Sequence, residues 1–205
     1  MSELNENRLG LITASQISNL LGKPRGNAEW TKTAESYLMK LIAEIITGRE
    51  IGFDGNTATE WGHDHEDEAR ELFGQIMAEQ TIQGGFVIHP TAKFGGTPDG
   101  YLDAFAATPG PIEIKCPWNT TNFVKYALQI KEGICPPEHY DQVQAHIWLT
   151  ESKVGYFVTY DPRVILGQKL HWLELPRDEE RIEQMADAVK RGEEWIWARV
   201  KQMEA

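Results

Sequence analysis

Apolar residues along the chain recur first at helical spacing, then in short alternating runs, then at helical spacing again. Residues 13–21 read as a short helix closed by Gly22 and Pro24, with Thr13 or Ser15 near its start. Tyr37, Leu38, Leu41, Ile42 and Ile45 predict a helix over about 28–47 that stops at Gly48, and a third helix runs from about 57 to 78. The middle changes character. Residues 86–88, 101–105 and 112–116 are β-type segments separated by Gly, Pro and Thr. Helical patterns return at 119–130 and 137–150, two further strands are predicted at 153–160 and 169–175, and a long helix at 179–203 closes the chain. Helices flanking a small central sheet predict one α/β (α+β) domain over residues 1–205, with the sheet buried between helices.

Composition narrows the class. The 205 residues are 41% hydrophobic and 25% charged, as in a soluble globular domain. No apolar run is long enough to span a bilayer, and residues 1–6 lack the regions of a signal peptide. The two cysteines, Cys116 and Cys135, form no CxxC pair. That argues against an iron–sulfur or Cys-based zinc site and suits a reducing cytoplasm. The net charge of −11 speaks against a general nucleic-acid coat protein, because such proteins bind phosphates with Lys and Arg. It does not speak against an enzyme that gathers carboxylates around a metal. The surplus is uneven, lying near 54–79 and 178–204.

Chemistry concentrates in Thr97-Pro98-Asp99-Gly100 and in Glu113-Ile114-Lys115, with Glu113 fourteen residues after Asp99. In a strand Glu113 and Lys115 share one face while Ile112 and Ile114 take the other. A Glu and a Lys among apolar residues are costly unless each has a partner, and a metal ion with a scissile phosphate supplies both. Mg²⁺ prefers oxygen ligands, often one or two carboxylates plus water and phosphate. Asp99, Glu113 and the backbone carbonyl of Ile114 form such a set, with Lys115 beside the attacking water. This is the PD…(D/E)xK pattern of restriction-like nucleases. The pattern is degenerate, and a surface Glu–Lys pair after an ordinary Pro-Asp-Gly turn fits the same letters.

A third carboxylate weighs on the choice. On the helix over 61–73, Gly62, Glu66, Ala69 and Phe73 fall on one stripe, whereas Asp64, Asp67 and Glu68 read as solvated. Glu66 is the acid out of place, so it is a candidate for the metal site; an exposed Glu at the rim of a core stripe is the other reading.

The wider chain resembles the phage lambda exonuclease family, the YqaJ-like viral recombinases of the PD-(D/E)xK superfamily. The resemblance rests on Arg8-Leu9-Gly10-Leu11-Ile12-Thr13-Ala14-Ser15, Glu35-Ser36-Tyr37, Thr47-Gly48, Trp61-Gly62 with Glu66 and Ala69-Arg70, and Thr97-Pro98-Asp99-Gly100. Further on it rests on Glu113-Ile114-Lys115-Cys116-Pro117, Gln142-Val143-Gln144 and Tyr160-Asp161-Pro162-Arg163, all in the family's order.

The resemblance implies a restriction-endonuclease-like core and a Mg²⁺-dependent, processive 5′-to-3′ exonuclease on linear duplex DNA. Such an enzyme releases mononucleotides and leaves a 3′ single strand for an annealing protein encoded beside it. One or two Mg²⁺ ions per site, with Mn²⁺ as a substitute, a ring-shaped homotrimer and a phage or prophage origin in the bacterial cytoplasm are implied likewise. By position, Asp99 and Glu113 match metal ligands, Lys115 the catalytic lysine, Glu66 a further active-site glutamate and Gln142 an active-site glutamine. On its own residues Gln142 is a surface position beside the stripe of Tyr140, Val143 and Ile147. Arg8, Thr13 and Ser15 match a 5′-phosphate pocket, and Thr97 stands where the family has a serine. Arg forks onto phosphate oxygens, and hydroxyls and free N–H groups at a helix start favour an anion.

Other signals are weaker. The six histidines form no persuasive metal set, and His63 and His65 read as solvated. Cys116 reads as a packed residue, and Trp172, Trp195 and Trp197 read as core packing, with a face toward a partner subunit as the other reading. Lys93, Lys125, Lys131 and Arg163 are candidates for a DNA path. The rival functions are an endonuclease of the same fold and a non-catalytic DNA-end scaffold.

Overall fold

The computed structural model describes residues 8–52, 57–102 and 109–204. The chain opens with β1 (Ile12–Thr13) and a 3₁₀ helix, Ala14–Leu20. The predicted first helix is thus tighter and shorter than an α-helix. Its cap Thr13 makes no side-chain capping bond; its N–H donates to Tyr37 Oη at 3.0 Å. Helix α1 (Lys32–Thr47) starts four residues later than the periodicity suggests, because Thr31 Oγ1 caps it by accepting from Ala34 N–H at 3.1 Å. Gly48, at φ +62°, ends it in the left-handed conformation. Helix α2 is Thr57–Met77.

Five strands follow: β2 (Thr81–Gln83), β3 (Val87–Ile88), β4 (Phe94–Gly96), β5 (Gly100–Leu102) and β6 (Gly110–Lys115). Of the strand predicted over 101–105, residues 103–105 lie outside the described residues. Then come α3 (Thr120–Lys131), capped by Asn119, α4 (Pro137–Leu149), β7 (Val154–Tyr160), β8 (Leu170–Pro176) and α5 (Glu179–Glu204).

The main sheet has the order β2-β5-β6-β7-β8 and a smaller one the order β1-β4-β3. In the main sheet only β6 and β7 run parallel, with Glu113 opposite Phe157 and Lys115 opposite Thr159. A parallel step needs a crossover, and α3 with α4 supplies it. Ile112 and Ile114 face α2 in a cluster with Ala69, Phe73, Tyr156 and Val158. The opposite face packs Phe157 against Tyr126, Ile130, Val143 and Ile147 of α3 and α4. A third cluster joins the 3₁₀ helix, α1, α5 and the end of α4. This is the helix-flanked mixed sheet of the restriction-endonuclease-like fold. Among the described residues no helix is long and apolar enough to cross a membrane.

Candidate active site

The Pro98-Asp99-Gly100 turn leads into β5, antiparallel to β6. Asp99 N–H donates to the Ile112 carbonyl at 3.0 Å, and Asp99 Oδ2 accepts from Ile114 N–H at 2.7 Å. Two bonds therefore hold the carboxylate against β6. The turn is also gripped from outside. A Cβ on Gly84 would lie 1.8 Å from the Pro98 carbonyl oxygen, so this approach admits no side chain. Arg70 on α2, buried to 7% exposure, donates to the Asp99 carbonyl at 2.9 Å. The same guanidinium pairs with Asp67 and lies 3.7 Å from Glu66.

Glu113 and Lys115 project from β6 on the α3/α4 face. Glu113 is 1% exposed, and Lys115 donates to its Oε1. Its Oε2 lies 3.2 Å from Nδ1 of His146, itself 1% exposed on α4. The two atoms are not aligned for a hydrogen bond, and neither has another partner among the described residues. On its other side, His146 Nε2 lies 3.2 Å from where a Cβ on Gly96 would stand.

Electrostatics separate the two acids. Burial pushes the Asp99 carboxyl well above its ordinary value, and the charge of Glu113 adds to the rise against the pull of Lys115 and the Ile114 N–H. For Glu113 burial works in the same direction, but Lys115 and His146 outweigh it and hold the group below the carboxylate range. Lys115 loses solvation too, yet Glu113 and Asp99 raise it above an ordinary lysine. Burial raises Glu66 against the opposing charge of Arg70. Burial also lifts the Cys116 thiol to about 12, which leaves it an inert packed group.

A cavity of about 470 Å³ opens here, lined by Glu66, Asp99, Ile114, Lys115, Trp118 and His139 among others. Its size suits a small ligand, for which sites of about 300–1,000 Å³ are usual. Glu66, the acid out of place on its helix, thus reaches the same cavity as the motif residues. Glu113 lies behind it. Gln142 does not line the cavity; it is half-buried on α4, on the helical face between His139 and His146.

Among the described residues no three His, Cys, Asp or Glu side chains form a ready-made metal cage. The donor chemistry nonetheless fits a hard divalent cation that keeps much of its water: Glu66 and Asp99, two carboxylate residues, line the cavity together with Ile114. The mutual repulsion of Asp99 and Glu113 is what such a cation relieves.

The predicted phosphate pocket is partly gathered. Parallel pairing of β1 with β4 sets Thr13 opposite Gly95, which brings Thr13, Ser15 and Thr97 to one end of the small sheet. Thr13 and Ser15 hydroxyls are 3.4 Å apart, and Ser15 and Thr97 are exposed. Arg8 lies with its guanidinium 4.3 Å above the Phe86 ring.

Some expectations need correction. Arg163 is committed to Asp161 and to the carbonyls of Pro117 and Trp118, so it is a clamp and not a free cation on a DNA path. Lys125 is paired with Glu138 at 2.7 Å. His65, read as solvated, is half-buried and packs on Trp61 at 4.1 Å between ring centroids, whereas Glu68 is exposed as read and accepts from Tyr160 Oη at 2.5 Å. Trp197, read as packed, is 42% exposed. Arg70 and His146 were missed as supporting residues. Arg70 is one turn from Glu66 and His146 one turn from Gln142, and that i+4 spacing was the available signal.

Residues 3–153 match the model of the YqaJ-like viral recombinase domain. The chain belongs to that family. This YqaJ-like domain is also similar to solved nucleases. The alkaline exonuclease LHK-Exo from Laribacter hongkongensis is 28% identical, with a TM-score of 0.81 over 96% of this chain and 93% of that one. Its complex with dAMP gives a TM-score of 0.84, covering 100% and 96% at 28% identity. A phage-related exonuclease from Haemophilus somnus, 16% identical, shares the fold at a TM-score of 0.72 over 94% and 96% of the two chains. No curated protein sequence matches the YqaJ-like domain.

Proposed function

We propose that this YqaJ-like domain is a Mg²⁺-dependent exonuclease that digests one strand of linear duplex DNA from a 5′-phosphorylated end. Hydrolytic nuclease activity on DNA follows from the family and from the 28% identical exonuclease. The observation that carries the finer reading is the joint placement of Asp99 and Lys115 at one cavity, with Glu113 behind it on Lys115 and the exposed Thr97 two residues before Asp99.

Asp99, Glu113 and the Ile114 carbonyl, with Glu66 in reach, would hold one or two Mg²⁺ ions, Mn²⁺ serving as a substitute. When bound, the metal lowers the pKa of its water and neutralises charge on the leaving oxygen. The residues do the rest. Lys115, kept protonated by Glu113 and Asp99, orients the attacking water and offsets negative charge gathering on the phosphate. Gln142 acts from the same face of α4 as His139. Arg8, Thr13, Ser15 and Thr97 hold the terminal 5′-phosphate, placing the first phosphodiester over the acids.

In this reading the enzyme runs 5′ to 3′ and processively, releases mononucleotides and works as a ring-shaped homotrimer. It hands its 3′ strand to a single-strand annealing protein in the cytoplasm of a bacterium carrying the phage or prophage. The deciding experiment is digestion of linear duplex phosphorylated at one 5′ end, with Mg²⁺ or EDTA, beside a covalently closed circle. Mg²⁺-dependent loss of the phosphorylated strand alone is the expected result. Cutting of the circle would identify an endonuclease, and binding without digestion a scaffold.

A further inference from the structure

Trp118 is 50% exposed, and its loop is tied down by hydrogen bonds to the backbone and a ring contact. It follows β6 on the loop that borders the cavity, next to Asn119, the cap of α3. Arg163 fixes that loop from below. Its Nη1 donates to the Trp118 carbonyl and its Nη2 to the Pro117 carbonyl, each at 3.0 Å. Asp161, fully buried, aligns the guanidinium through two bonds of 2.8 Å and accepts from Thr120 Oγ1 at 2.9 Å. The guanidinium carbon sits 4.4 Å over the Trp61 ring, and Trp61 meets Trp118 edge-on at 5.3 Å between centroids. Hydrogen bonds thus fix the backbone on either side of Trp118, and the α2 indole meets the exposed ring edge-on.

Exposed indole costs solvation, and ordering it costs conformational freedom. A lone exposed apolar side chain is common on protein surfaces; what sets Trp118 apart is its place on the rim of the cavity that Glu66, Asp99 and Lys115 line. Its neighbour across the cavity is the acid cluster of Glu66 and Asp99. A ligand that offers phosphate to those acids through a metal, and a flat aromatic group one sugar away, is a nucleotide. We infer that Trp118 is a nucleobase platform: its ring stacks on the base of the nucleotide whose phosphodiester lies at Asp99 and Lys115. The stacking is sequence-tolerant, since every base has a π-face. This inference rests on the nuclease reading above, and it adds the base as a recognised group of the substrate.

The test uses two 5′-phosphorylated linear duplexes, one normal and one with a tetrahydrofuran abasic residue as its 5′-terminal nucleotide. Release of the first nucleotide is timed with Mg²⁺, and end binding is measured by fluorescence anisotropy in EDTA. The wild type should favour the normal end by about tenfold in both assays. Trp118→Ala should bring both ratios close to one, and Trp118→Phe should keep most of the preference, with thermal melting confirming that each variant is folded. A wild-type ratio near one, or an unchanged ratio in Trp118→Ala, overturns the platform while leaving the nuclease reading intact. Base-dependent binding that disappears in Trp118→Ala, with no hydrolysis by the wild type, sustains the platform and removes the nuclease reading.

Discussion

The five-stranded sheet carries its chemistry on β6, where residues 110–114 are all buried, whereas the three-stranded sheet presents Ser15 and Thr97 at an open end. On β6 each charged atom must find its partner inside the protein, because a buried unpaired charge is costly. Lys115 therefore sits on Glu113, Ile114 N–H on Asp99, and His146 against the remaining Glu113 oxygen. The open end has no such need: its hydroxyls face water until a ligand arrives. The buried region is thus built for precision, and the open one for exchange. Its role in the proposed activity is to choose an end and not to break a bond.

That contrast predicts a graded series of effects. Lys115→Ala should lower hydrolysis on the order of 10²–10³-fold, measured by single-turnover release of labelled nucleotide, with end binding retained. Substantial residual turnover would remove Lys115 from the chemistry. His146→Ala should cost roughly 10–100-fold and weaken Mg²⁺ binding measured by calorimetry without DNA, because it removes the ring that stands against the buried oxygen of Glu113 and helps keep that carboxylate ionised. His146→Asn, which keeps a donor, should recover part of both; equal loss in the two variants would mean that the ring only fills space.

Arg8→Ala should act on the open end alone. The preference for 5′-phosphate over 5′-hydroxyl ends should fall by about tenfold, as for one charge-assisted hydrogen bond, with the rate on hydroxyl ends unchanged. An unaltered ratio of rates would take Arg8 out of the pocket.

The smallest effect concerns pH. His139 stacks on Phe157 and its Nε2 lies 3.1 Å from Tyr126 Oη. Burial, aided by Lys115, lowers its pKa to about 4. The unfolded chain takes up that proton first, so the stability of the neutral ring is fully present above about pH 6.5 and is lost as pH falls towards 4. Melting temperatures recorded across this window should fall less steeply in His139→Gln than in the wild type.

Much of this was legible from the order of residues. The long helices α1, α2 and α5 and the strands β6, β7 and β8 have full-length periodic patterns, and they stand close to where those patterns put them. Strands β1, β2 and β4 were not legible. They are two or three residues long, and Phe94-Gly95-Gly96 has no alternation to read. Their strand character comes from pairing: Ile12 with Phe94, Thr81 with Leu102. The Asp99 turn was legible from its Pro and Gly neighbours, and the shared face of Glu113 and Lys115 was legible because strand alternation makes a charged pair beside isoleucines costly. Glu66 was legible for the matching reason on a helix.

The sequence by itself therefore determined which side chains stand out of place on their own element, because periodicity along one strand or helix is a local property. Only the tertiary structure decided which of them meet. Glu66 on α2, Asp99 on the turn before β5 and Lys115 on β6 border one cavity, and Glu113 lies behind it against Lys115. His146 reaches Glu113 from α4 across thirty-three positions of chain, and Arg163 reaches Trp118 across forty-five. Such contacts depend on how faces pack and how strands register, and no spacing along a single element encodes them.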